Sequence, residues 1–104
     1  MLEIEKQVDI TGIILSIKGR IDTNNASVFA SVLQEGCREL GKGTLFIDCK
    51  HLEYMSSAGL RLLLTTRKQV NEGQLKLINV TDLVYEILSV TGFDSFLEVE
   101  RLAE

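Results

Sequence analysis

The sequence predicts an α/β domain built on a mixed sheet of four to five strands and packed by three to four helices. Three observations carry this expectation. Short β-branched runs alternate with longer segments whose apolar residues recur every three or four positions. Glycines fall where those segments end, and no proline interrupts them. The 104 residues, 45% of them apolar, suffice for one core and not two, so residues 1–104 are expected to form a single domain.

Residues 2–9 alternate, with Leu2, Ile4 and Val8 set between Glu3, Glu5 and Lys6. That pattern predicts a strand with one wet face near a sheet edge. Gly12 follows in a turn, and residues 13–18 read as a second, more buried strand paired to the first as a hairpin. Gly19 to Asn25 reads as a polar loop, with Asp22, Thr23, Asn24 and Asn25 positioned to cap a helix over 26–40. Phe29, Val32, Leu33, Cys37 and Leu40 form its apolar stripe, and Gly41 and Gly43 close it.

Leu45, Phe46 and Ile47 make a short central strand, and residues 48–55 read as a segment leading away from it. A second helix is expected from Ser57 or Ala58 to Asn71, with Leu60, Leu63, Leu64 and Val70 inward and Gly73 as its stop. Residues 75–80 form a fourth strand. Thr81 caps a third helix that turns Leu83, Val84, Ile87 and Leu88 inward, Gly92 ends it, and Phe93 makes a contact beyond the cap. Residues 96–99 supply a short last strand. Strand–helix–strand units imply right-handed crossovers and parallel pairing, so only the N-terminal hairpin is antiparallel.

Several function classes are disfavoured by composition. The formal net charge of −4 argues against nucleic acid and anionic membranes as direct partners, because both attract clusters of Lys and Arg. No apolar run approaches the roughly 20 residues of a membrane span. The alternating N-terminus lacks the apolar stretch of a signal peptide, so a cytoplasmic protein is expected. Cys37 and Cys49 have no CxxC spacing and only His51 for company, so no metal site is expected, and both read as buried small hydrophobes.

The informative stretch is Tyr54-Met55-Ser56-Ser57-Ala58-Gly59-Leu60, where a serine pair opens the second helix. One reading is structural: a serine oxygen satisfies a free backbone N–H at the helix start. The other is functional. Ala58 and Gly59 leave the first turn uncovered for close approach of a partner. A phosphate added there meets free N–H groups and the positive end of the helix dipole, while changing the local charge by about −1.5 to −2. His51 as a catalytic base for Ser57 is disfavoured, since no Gly-x-Ser-x-Gly elbow is present, and Gly41-Lys42-Gly43 is too short for a phosphate-binding loop.

This stretch, following an apolar strand that ends in Asp48, resembles the signature of the STAS family, in particular its bacterial anti-sigma-factor antagonists. Gly19-Arg20-Ile21-Asp22 resembles the family's Gly-x-Leu/Ile-Asp loop, which lies beside the phosphorylated loop. The resemblance covers nearly the whole chain. It implies a partner-switching regulator, not an enzyme, without a cofactor. Unphosphorylated, such a domain binds an anti-sigma factor that is also a serine protein kinase. Phosphorylation of the serine at position 57 dissociates the pair, and a PP2C-type phosphatase resets it. Ser56 stands where many antagonists carry Asp, which makes it the alternative acceptor and keeps a non-phosphorylated interaction or ligand-sensing STAS domain as the second reading. The resemblance places Asp22, Asn24, Met55, Ser56, Ala58 and Gly59 at the partner surface. Capping remains the other reading of Asp22 and Asn24, covering the sheet the other reading of Tyr54 and Met55, and Asp48 reads as a strand-end residue that accepts from a backbone N–H.

Overall fold

In the computed structural model, which describes residues 1–103, strands β1 (Leu2–Asp9) and β2 (Gly12–Ile21) form the expected antiparallel hairpin. Helix α1 (Ala26–Glu39), strand β3 (Thr44–Met55), helix α2 (Ser57–Gln69), strand β4 (Leu75–Val80), helix α3 (Asp82–Thr91), a 3-10 turn over Phe93–Ser95 and strand β5 (Glu98–Arg101) follow. The five strands lie in the order β1-β2-β3-β4-β5, and every pair after the hairpin is parallel. Each new strand is added on the same side of the last. Right-handed crossovers then put all three helices on one face of the sheet.

That face carries Ile13, Leu15 and Ile17 from β2, Leu45, Ile47 and Cys49 from β3, and Leu75 and Leu77 from β4, all buried. Phe29 and Leu33 of α1, Leu60 and Leu63 of α2, and Val84 and Leu88 of α3 close over them in one core. Lys6 occupies an otherwise apolar slot on β1 and reaches Glu35 and Glu39 of α1 at 3.2 and 2.7 Å. The opposite face, with Ile14, Ser16, Phe46, Asp48 and Ile78, is only half-buried.

Five expectations are corrected. Strand β2 continues to Ile21, and β3 does not end at Ile47 but runs on to Met55 alongside it. Two register shifts separate the paired segments, because β3 carries an extra residue between Asp48 and His51 and another between Leu52 and Tyr54. Such bulges break the two-residue alternation, and buried positions fall at 45, 47, 49, 52 and 55. Leu83 faces solvent at 53% exposure, because the inward stripe of α3 is set by Val84 and Leu88, four residues apart. The last strand starts two residues later than expected, after the 3-10 turn, with Leu97 as its buried anchor. The polar run before α1 does not cap the helix, since Asn25 at the cap position makes no side-chain bond to the first turn.

By contrast, Thr81 caps α3 by accepting from the Val84 amide, and Gly92 ends that helix in the left-handed conformation. Phe93 packs partly buried against the core.

Candidate functional site

The carboxyl ends of β2 and β3 bring the informative residues together. Ile21 pairs with Met55 in register, and the Ser56 amide donates to the Ile21 carbonyl at 2.8 Å. The loop after β2 and the start of α2 are therefore neighbours at the carboxyl end of a parallel pair, where α/β sheets place their binding sites.

The loop is held by its own side chains. Asp22 Oδ1 accepts from the amides of Asn24 and Asn25 at 2.9 and 3.0 Å. Asn25 Oδ1 accepts from the Asp22 amide at 2.9 Å, and its Nδ2 donates to the Arg20 carbonyl at 2.9 Å. Polar residues that read as helix caps thus knit the loop to the end of β2.

The two serines have different environments. Ser56 is the N-cap of α2, 8% exposed, and its Oγ accepts from the Gly59 amide at 3.4 Å. Ser57 is the first helical residue and is exposed. No hydrogen bond among the described residues engages its hydroxyl, and the Ser57 and Ala58 amides also lack a partner among them. A group added to Ser57 Oγ would meet unused donors at the positive end of α2.

Met55 and Gly59, expected at the partner surface, are both buried in the free chain. Met55 is 2% exposed. A Cβ on Gly59 would lie 2.7 Å from Met55 Cγ and 2.9 Å from Ile21 Cγ2, so this glycine lets α2 close onto the strand ends. Ser56 is likewise too deep to offer its side chain. Asp22 and Ala58 are half-exposed, and Asn24 is exposed. Tyr54, 37% exposed, carries the Arg20 guanidinium 4.6 Å above its ring and shares an open groove with Leu83, Ile87 and Val90 of α3.

Two features escaped the sequence reading. Arg61 on α2 lines a groove with Ala58 and with Ala26 and Ser27 of α1. Arg61 stands four residues beyond Ser57, a spacing that puts both on one face once the helix start is known. Gly36, in the last turn of α1, is buried against Leu45, a close approach that an isolated glycine does not announce.

The remaining candidates fall into structural places. Asp48 Oδ1 accepts from the Lys50 amide and from Asn79 Nδ2, both at 3.0 Å, tying β3 to β4. His51 is exposed on β3 and makes no hydrogen bond to Ser57. Cys49 is buried, and burial, reinforced by the Asp48 charge, pushes its thiol up to about 12. Cys37 is half-buried and its thiol is also raised by burial. Among the described residues no cluster of His, Cys, Asp and Glu is placed to hold a metal, and no helix is long and apolar enough to cross a membrane.

The cap assignment makes a prediction. Ser56→Ala should lower stability by about 1 kcal/mol, and Ser56→Asp should hold it, because Asp is an equally good cap. Urea unfolding of the three proteins measures this; equal midpoints for all three would remove the cap from the account.

The STAS domain family model matches residues 1–103. A candidate anti-sigma factor antagonist of Bordetella bronchiseptica, BtrV, is 30% identical over 94 residues, which is 88% of this chain and 80% of that protein. The anti-sigma-B factor antagonist of Staphylococcus aureus is 24% identical over 92 residues, covering 86% of this chain and 84% of the relative. The crystal structure of an anti-sigma factor antagonist from Mycobacterium paratuberculosis superposes with a TM-score of 0.85 at 17% identity, over 96% of this chain and 86% of that one, a likeness of fold. A family match across all the described residues, on the expected mixed sheet with its serine pair at the head of α2, establishes that this chain belongs to the STAS domain family.

Proposed function

We propose that this protein is an anti-sigma factor antagonist that works by partner switching, with Ser57 as its phosphate acceptor. One observation carries the reading: Ser57 presents an unengaged hydroxyl at the head of α2, beside the Asp22–Asn25 loop, while Ser56 is buried and occupied as the cap. The names of the relatives supply the class of partner. Unmodified, the protein binds an anti-sigma factor that is also a serine protein kinase, through a surface that includes Ser57, Asp22, Asn24 and Ala58. The kinase transfers the γ-phosphoryl group of ATP to Ser57 Oγ, the hydroxyl proton passes to a base on the kinase, and ADP leaves.

The phosphate then stands in an interface formed without it. Desolvating that charge against the anti-sigma factor costs several kcal/mol, so the complex separates. A PP2C-type phosphatase hydrolyses the phosphoserine and restores the binding form. The protein itself performs no chemistry and takes no cofactor. It acts in the cytoplasm, with no direct contact to nucleic acid or membrane.

Intact-mass measurement after incubation with the cognate kinase and ATP tests the reading. One phosphate should be gained by the natural chain and by Ser56→Ala, and none by Ser57→Ala. No gain on the natural chain rejects the switch, and gain on Ser57→Ala moves the acceptor elsewhere.

A further inference from the structure

We propose that Arg61 is the internal counter-charge of the switch: when Ser57 carries a phosphate, the Arg61 guanidinium pairs with it across one turn of α2. The inference rests on Ser57 as acceptor and concerns what the phosphate meets on this chain. Ser57 and Arg61 stand four residues apart on one helix and both are exposed, so their side chains are surface neighbours. The guanidinium is uncommitted. The ion pairs among the described residues use Lys6, Lys76 and Arg101, and the cations stacked on rings are Arg20 and Arg101. Arg67 and Lys68, the other cations of α2, lie near its far end, beyond reach of its first turn.

The chemistry suits the pair. A guanidinium presents a planar fork of donors that meets two phosphate oxygens at once, which a lysine cannot do. Asp22, on the neighbouring loop, accepts from the Asn24 and Asn25 amides and forms no ion pair with Arg61 among the described residues. Arg61 also lines the groove between α1 and α2. In the unmodified protein it offers that groove a free cation; in the phosphoprotein the cation is drawn back onto Ser57. Phosphorylation thereby withdraws a positive charge from the docking surface as well as adding a negative one.

The test installs phosphoserine at position 57 during translation, so it does not depend on the kinase. The full chain is compared with Arg61→Gln and Arg61→Lys by NMR. In the phosphoprotein the Arg61 Nε–Hε signal should shift from its place in the unmodified chain and return towards it at 1 M salt. The second phosphate pKa should be lower by about 0.3 of a unit in the natural chain than in Arg61→Gln, with Arg61→Lys between them. An Arg61 signal unmoved by the phosphate, with the same phosphate pKa in all three chains, overturns the pairing. Absence of kinase-driven phosphorylation would reject the acceptor reading alone, since the pairing is measured on phosphoserine already in place.

Discussion

Ser57→Asp should weaken binding to the anti-sigma factor by more than about a hundredfold while leaving the thermal midpoint nearly unchanged. The two halves of this expectation come from the same position. Ser57 is the first residue of α2, exposed, with an unengaged hydroxyl, so no native contact is lost on substitution. An acidic side chain in the first turn of a helix is favoured by the dipole. The fold therefore tolerates the charge. The interface does not: an unpaired carboxylate desolvated against a partner costs about 3 kcal/mol or more, and each 1.4 kcal/mol is about a factor of ten. Calorimetric titration against the anti-sigma factor, beside a melting curve, reads both. Unchanged affinity would place the interface away from α2. A collapse of stability would mean that Ser57 is a structural residue.

Gly12→Ala should destabilise the protein by about 3 kcal/mol or more, lowering the melting midpoint by more than roughly 10 °C. Gly12 has φ +147° and pairs with Thr44 at the start of the parallel β2–β3 ladder. An added Cβ would lie 1.9 Å from the Thr44 carbonyl oxygen and 2.6 Å from its amide nitrogen. These are backbone atoms of a paired strand, so relief requires the strands to part. Gly41 is the control. It too has positive φ, +58°, but a Cβ added there would meet nothing within 4 Å, so Gly41→Ala should cost only about 1 kcal/mol of backbone strain. Melting curves that rank the two substitutions the other way would contradict the strand contact. The effect would also reach the site, because the β2–β3 register sets the Asp22 loop beside Ser57.

Most of the architecture was legible because this sequence marks its elements locally. Phe29 and Leu33 announce the buried stripe of α1, and Thr81 and Gly92 mark both ends of α3. The outer half of β3 was not legible, for a physical reason. Lys50, His51 and Glu53 are exposed, and two bulges destroy the alternation that would have betrayed a strand. Capping residues misled in a related way. Asp22 and Asn25 have the chemistry of caps, yet their oxygens serve the loop, and a sequence does not show which nearby amide a short polar side chain will find. At the site, the motif located Ser57 but not the division of labour within it. Only packing shows that Ser56 and Met55 are buried and that Gly59 is small because Met55 and Ile21 fill the space above it. Arg61 becomes a neighbour of Ser57 only once the start of α2 fixes their four-residue spacing on one helix.

As a release switch, Ser57 must couple phosphorylation to dissociation. The most direct measurement follows the preformed complex of this protein with its anti-sigma kinase after ATP is added, reading phosphate at Ser57 and dissociation in the same sample. The two should rise together, and the Ser57→Ala complex should stay intact with ATP present. Phosphate accumulating on Ser57 without release, or release of the Ser57→Ala protein at the natural rate, would contradict it.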